Sequence, residues 1–442
     1  MINTLASFVA ILAVATSMKA GEFSNRRDQN WHQWRGPSAN GVAPHGDPPT
    51  QWDPSTNIRW KAVVPGRGSA TPIVWDGQIF LLSAIRTDRV AEHPPQQDER
   101  ARTRPPANLY KFEVICIERK TGKTLWQRTA CEDVPHEGRH PTNTFASSSP
   151  MTDGQRLYVS FGSRGTYCYD LNGQLLWKRD LGNMRTRYGW GEATSPVVHG
   201  KSLVVNWDHE DQSFITVLDA ETGDTRWTVE RNEPTSWSTP LVVEYQDRVQ
   251  VIVSATNRVR SYDLDTGDVI WQCGGQTLNT IPSPVATKEF VVCMSFYGDS
   301  MARAIPFASK GDVTNTGKIL WSYRRGTPYV PSPLLVNDRL YFTQSNNAIL
   351  SCLDVRNGKR LFGPVRLPTI RNLYASPSSA AGRVYFVGRD GTAVVIEDGD
   401  QFKVISTNHL GEPIDASPVI VGRELFLRGE KHLYCITEEA RD

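Results

Sequence analysis

The chain contains no run of five like charges, and its 49 basic and 47 acidic residues leave a formal net charge of +2. A nucleic acid or an anionic membrane surface would require a concentrated basic stripe, so neither is expected as a partner. Long apolar runs are equally scarce. The stretch from Leu5 to Ser17 is too short to span a bilayer comfortably, and no later segment reads as transmembrane. Cysteine is sparse, with 7 residues and none near the start, so a lipoprotein anchor is not indicated. Cys116, Cys168, Cys352 and Cys435 recur at one place in a repeat, inside alternating apolar strands. A residue repeated at one structural position reads as a small core hydrophobe. Mostly free, buried thiols are therefore expected.

The Leu5–Ser17 stretch has the length of a signal-peptide core, and the small residues Ala15, Ser17 and Ala20 mark plausible cleavage points. Residues 1–20 are read as a signal peptide, with an uncleaved anchor as the alternative because no Lys or Arg precedes the apolar stretch. Export to the periplasm or the exterior is expected, with no integral membrane segment left after cleavage.

Trp, Gly and Pro are plentiful, at 13, 34 and 28 residues. Many turns and large packing anchors point to an all-β chain. Eight times a Ser or Thr precedes a Pro and an apolar run: Thr71, Ser149, Ser195, Thr239, Ser283, Ser332, Ser376 and Ser417. The prolines are spaced by 78, 46, 44, 44, 49, 44 and 41 residues, a period that means one supersecondary unit per repeat. Each unit opens with a short strand and a tight turn such as Asp76-Gly77 or His199-Gly200, whose residues suit positive φ. A second strand follows, then a third that ends in an acidic residue and a Gly-closed loop.

The fourth strand carries an aromatic residue soon after that Gly. Trp126, Trp177, Trp227, Trp271 and Trp321 each stand four residues beyond it, as does Phe362, whereas Phe402 stands three beyond. These rings are expected to dock between neighbouring sheets. The eighth unit has three strands, and the missing fourth is present at the start as residues 57–61, with Trp60 as its aromatic. The prediction is an eight-bladed β-propeller of four-stranded antiparallel blades, over residues 57–437, its ring closed by the N-terminal strand pairing with the C-terminal blade. Residues 21–56 form an extension that wraps the ring or covers one face. Residues 87–108 form a long mobile loop in the first blade, and 438–442 a tail.

The eight Ser/Thr-Pro starts and the Asp-x-x-Thr-Gly-x-x-x-Trp strand pairs resemble the pyrroloquinoline-quinone-like (PQQ-like) propeller repeats of quinoprotein dehydrogenases and of BamB-type assembly proteins. Trp34 to Pro37, reading Trp-Arg-Gly-Pro, resembles a group of bacterial exported PQQ-like proteins without assigned activity. Quinoprotein dehydrogenases hold PQQ with Ca²⁺ in the central funnel, using an Asp base, acidic and amide metal ligands, a Trp floor and a disulfide between adjacent cysteines. No two cysteines are adjacent here, and the large insertions that wall in the cofactor are missing. PQQ with calcium is thus a cofactor the fold can host but that no matching residues support. No catalytic residue and no metal ligand is assigned.

In such a ring the inter-blade loops share a face with the loops joining strands two and three. The inter-blade loops bring Arg67, Arg139, Asn143, Arg187, Trp190, Glu192, Trp237, Asn279, Tyr329, Tyr374 and Asp415 to that face. The strand 2–3 loops bring Arg164, Trp207, His209, Asn257, Arg258 and Arg389. Rings, Arg forks and amides together suit a polar ligand, a glycan or a peptide. Plugging of the channel by the same side chains is the competing reading. Trp207 to Asp211, with three carboxylates and an imidazole, reads as a solvated turn rather than a cation site, since contiguous ligands in a hairpin rarely converge. His136 and His140 sit between Pro135 and Pro141, so the helix that would align them is not expected. Ser147 to Ser149 match the small-residue strand start of every blade. A monomeric binding or protein-interaction scaffold is the first functional reading. A PQQ-type oxidoreductase and a carbohydrate-binding or carbohydrate-active protein are the alternatives.

Overall fold

In the computed structural model, residues 20–438 are described. The expected signal segment, apart from Ala20, and the tail, apart from Glu438, lie outside them. Alternating apolar residues and positive-φ turns produce eight antiparallel sheets of four strands, one of which gains a fifth. We number the blades from the first Ser/Thr-Pro. Blade 1 consists of Ile73–Trp75, Gln78–Val90, Asn108–Glu118 and Thr124–Asp133. Blade 8 consists of Val419–Val421, Glu424–Arg428 and His432–Ile436, completed by Ile58–Val63. That last pairing sets Trp60 opposite Cys435 and Val63 opposite His432. The ring is thus closed by the two ends of the chain, as the repeat pattern requires.

The Ser/Thr before each proline explains the closure at the axis. Its backbone N–H donates to the hydroxyl of the equivalent residue one blade on, at 2.9–3.2 Å, from Thr71 through Ser417 and back to Thr71. The following proline holds this residue extended, so the same bond can form in every blade. Each such bond adds about 1 kcal/mol net.

Between blades, the Trp indole of one fourth strand lies on the loop glycine of the next blade. An ideal Cβ on Gly122, Gly173, Gly223 or Gly358 would fall 2.7–2.8 Å from Trp60, Trp126, Trp177 or Trp321. The loops also need positive φ there, +69° to +84°. The Nε1–H of each indole donates to a carbonyl in the same loop, as from Trp126 to Leu171 at 3.0 Å and from Trp177 to Ala220 at 3.1 Å. Trp227 docks likewise, donating to Leu264.

Trp271 departs from the expected docking. The insertion behind the 49-residue spacing returns to the rim of blade 4 and adds Gly311–Asp312 in parallel beside Trp271. Covered in this way, Trp271 is fully buried and donates to Gln250 of its own sheet, and Gly317 has no atom against its Cβ position. Phe402 also departs: it receives Phe362, at a centroid distance of 6.0 Å. Trp52 of the N-terminal extension instead fills the cluster joining blades 7, 8 and 1.

The extension covers one face. Trp31 pairs with Val74 of blade 1, and the His32 carbonyl accepts from Thr152 of blade 2. The Arg35 guanidinium then bonds to the Pro333 carbonyl of blade 6, and Val42 pairs with Ser379 of blade 7. Asp47 reaches the hairpin of blade 8 at Gly422. The segment therefore crosses the channel at its hairpin-turn end. The 87–108 loop is shorter than expected, because the long hairpin of blade 1 continues pairing out to Val90 and Asn108. Its residues between those strands rest on the blade 2–3 loop, with the Arg102 guanidinium 3.9 Å from the Tyr188 ring centroid and the Arg102 N–H donating to the Tyr188 carbonyl.

Cys116, Cys168, Cys352 and Cys435 are fully buried in the third strands of blades 1, 2, 6 and 8, with free thiols. Burial pushes the Cys116, Cys352 and Cys435 thiols up to about 12.

Candidate functional site

Thr71, Ser149, Ser195, Thr239, Ser376 and Ser417 of the Ser/Thr circle line an axial funnel of about 470 Å³. Trp34, carried across the hairpin-turn end by the extension, lines it from that side. Inter-blade loops place Trp190, Trp237, Tyr329 and Tyr374 around the opposite, loop-rich end. Each hydroxyl oxygen of the circle accepts one backbone N–H, which leaves its proton available to a ligand or water.

The aromatic wall is held by its own hydrogen bonds. The Trp237 Nε1–H donates to the Gly191 carbonyl at 2.7 Å, and the Asn143 amide donates to the Trp190 carbonyl at 2.9 Å. Trp190 stands 6.4 Å from Trp237 between ring centroids, and His140 meets Trp190 edge-on at 5.6 Å. Asp415 accepts two bonds from Arg389, at 2.6 and 3.1 Å, while the same guanidinium lies 4.1 Å from the Tyr374 centroid. The acid thus meets the funnel already neutralised. Burial raises the Tyr329 phenol to about 12, so it stays a hydroxyl donor at any physiological pH.

Of the residues expected on this face, Asn143, Trp190, Trp237, Tyr329, Tyr374 and Asp415 line the funnel, with Arg389 behind Asp415. Asn279 is buried beside Tyr329. Arg139 caps the Asn143 carbonyl and Arg187 lies 5.2 Å from the Tyr188 centroid. The rest point elsewhere. Arg67 pairs with Glu430, Arg164 with Asp133, and Arg258 with Asp312. Asn257 bonds to the Asn232 carbonyl at the surface. Trp207 is buried and stacked on Phe214, 5.9 Å between centroids.

The reading of 207–211 as a solvated turn is corrected. Asp208 is buried in an ion pair with Arg231 at 2.7 Å, and it also accepts from Ser236 and Asn206. His209 is buried and accepts the Arg185 N–H at Nδ1. Glu210 binds Thr235 and Asp211 binds Arg185. The segment ties the blade 2–3 and blade 3–4 loops to blade 3, and its carboxylates diverge because each has its own partner. Trp34, Tyr297 and the hydroxyl circle are among the wall groups that sequence reasoning did not place in a site. The recurrence of Ser/Thr before every proline was the available signal for the last.

A second group lies off the axis. One ring nitrogen of His136 and one carboxylate oxygen from each of Glu137 and Glu192 lie within 4.8 Å of one another. The blade 1–2 loop brings His136 and Glu137, and the blade 2–3 loop brings Glu192. His136 Nε2 is 2.6 Å from the Met184 carbonyl oxygen. Glu137 accepts from the Thr186 hydroxyl and N–H, at 2.6 and 3.0 Å. Glu192 accepts from the N–H and hydroxyl of Ser163. Burial raises Glu137 to about 8, helped by the charge of Glu192, and burial raises Glu192 to about 7. Burial also lowers His136, which favours the neutral imidazole.

The ring of eight four-stranded sheets around a lined channel defines a PQQ-like β-propeller. The family described as outer membrane protein assembly factor BamB matches residues 111–302 and 310–441, well over half of the chain, and the chain belongs to this family. Among curated proteins no sequence relative is found. Among solved structures, BamB from Moraxella catarrhalis is similar at a TM-score of 0.53 and 12% identity, covering 82% of this chain and 98% of that one. Quinohemoprotein alcohol dehydrogenase from Comamonas testosteroni is similar at a TM-score of 0.64 and 11% identity, covering 96% and 83%. A europium-containing methanol dehydrogenase is similar at a TM-score of 0.62 and 10% identity, covering 92% of each chain. At such identities these likenesses speak for the fold alone.

The funnel residues do not fit a quinone with its cation. Asp415 is the single carboxylate among the described residues of the wall, and Arg389 occupies it. The wall amides are committed too: the Asn143 oxygen accepts from Thr144 and Ser147, and the Asn346 oxygen accepts from Val330. No step through PQQ follows from this geometry.

Proposed function

We propose that the chain is an exported, monomeric binding propeller whose axial funnel receives a polar, flat-faced group from a protein or glycan partner. The observation that carries this reading is the funnel itself, a cavity of about 470 Å³ lined by hydroxyl donors and aromatic rings. Aromatic faces combined with orienting hydrogen-bond donors are what recognition sites offer such groups. Export is supported by the apolar Leu5–Ser17 stretch and by the family's description as an outer-membrane assembly factor. Among the described residues no helix is long and apolar enough to cross a membrane.

The test places a photo-crosslinking residue at Tyr374 and compares capture from a periplasmic extract and on a glycan array. Trp190→Ala with Tyr329→Ala should lower binding at least about tenfold, the effect of losing two aromatic anchors. Arg258→Ala, at a surface ion pair outside the funnel, should leave it unchanged. Equal binding by the funnel variant and wild type would refute the reading.

A further inference from the structure

Glu137 and Glu192 form a pair of partly buried carboxylates with no Lys or Arg bonded to either among the described residues. Their hydrogen-bond donors are Thr186 and Ser163, both neutral. The nearby imidazole, His136, is only 21% exposed and sits 3.9 Å from Glu192. Burying like charges together without a cation is strongly unfavourable. Either protons or a metal ion must compensate. Asp98, from the blade 1 loop that lies over this region, adds further negative potential at Glu137.

A second observation points to an occupant. The same three residues line a small cavity of about 50 Å³, which Ser148 and Asn206 also line. Ser148 is 6% and Asn206 1% exposed, and the Ser148 Oγ and Asn206 Oδ1 have no hydrogen-bond partner. Orphaned buried oxygens call for water or an ion, and the space admits more than one water. A groove of about 500 Å³ under the blade 1 loop shares His136, Glu137 and Met184 with this cavity, so the cluster borders both spaces.

We propose that His136, Glu137 and Glu192 bind a first-row divalent cation, with waters completing its shell and bonding to Ser148 and Asn206. The imidazole selects the class: one nitrogen and two carboxylates suit Zn²⁺ or Mn²⁺, whereas Ca²⁺ prefers oxygen ligands alone. The ion ties the blade 1–2 loop to the blade 2–3 loop and sits off the axial funnel, so it is independent of the binding role proposed above. Metal uptake displaces whatever protons the carboxylates hold.

The experiment uses the full chain after treatment with EDTA, titrated calorimetrically with ZnCl₂ and MnCl₂ in two buffers of different ionisation enthalpy. One ion per chain with proton release is expected for at least one of the two metals. Glu192→Gln and His136→Gln should each weaken it at least about tenfold, and Asp211→Asn, held by Arg185 nearby, should not. Circular dichroism separates lost affinity from lost fold. If Glu192→Gln fails to fold, His136→Gln and the wild-type anomalous map carry the test. Crystals soaked in the bound metal should show an anomalous peak between the three side chains. A peak elsewhere, tighter binding of CaCl₂ than of both other salts, or no saturable binding would overturn the proposal.

Discussion

Gly173 and Gly317 occupy the same loop position in different blades, and they separate two reasons for glycine. Both adopt left-handed φ, +84° and +74°, where a Cβ costs about 1–2 kcal/mol. Gly173 also lies under Trp126, whereas Gly317 faces open space. Urea unfolding should show Gly173→Ala less stable than Gly317→Ala by a further ~1–3 kcal/mol, the usual cost of overpacking. Equal losses would mean that the indole shifts freely. At the same scale, Arg231 and Asp208 are fully buried against each other. Arg231→Met should cost about 3–5 kcal/mol, because Asp208 is left charged without its partner. A loss under about 1 kcal/mol in thermal or urea unfolding would contradict this pairing.

The N-terminal extension is the element with the most unusual chemistry. His32 is buried edge-on to Phe23, at a centroid distance of 5.4 Å, and its Nδ1 has no partner. Burial, and then the nearby Arg27 charge, lower its imidazole from 6.5 to about 3. Between those values the unfolded chain binds the proton and the native chain does not. Stability is therefore complete above about pH 6.5 and falls as pH drops toward 3. His32→Phe removes that proton uptake. Its melting temperature should fall less than that of wild type between pH 7.5 and pH 4.5, and parallel falls would place the acid sensitivity elsewhere. The same element supplies Trp52 where blade 7 carries Phe402 in place of a docking Trp. The departure in repeat spacing at Phe402 was visible in the sequence, but its replacement by a residue some 350 positions earlier was not.

For the whole molecule, ring closure rests on two separate devices. One is the hydroxyl circle, and the other is the pairing of Ile58–Val63 with His432–Ile436. Deleting residues 20–64 would leave the final strand of blade 8 as an unpaired edge, which templates association between chains. Deleting residues 20–40 would spare the closing strand and remove the Ala20–Arg27 helix and the first part of the segment across the channel, Trp31 included. Light scattering should show the longer deletion aggregated, and the shorter one folded though less stable. If the longer deletion stays dispersed and cooperatively folded, the closing strand does not seal the ring.

Blade count, strand order, the closing strand and the buried repeat cysteines were legible because each follows from local chemistry repeated along the chain. A period in the forties, a proline, a left-handed glycine and an aromatic at constant offsets impose one unit eight times over. The loop-rich face was legible as well, but not the division of its residues. Arg258 and Arg164 found carboxylates at the rim, while Trp190 and Tyr374 reached the axis. Trp271 lost its usual neighbour to an inserted strand, and Glu137 joined Glu192 from 55 positions away. Partners of that kind depend on which loops and inserted strands meet in space, and contact between residues far apart in the chain leaves no period to read.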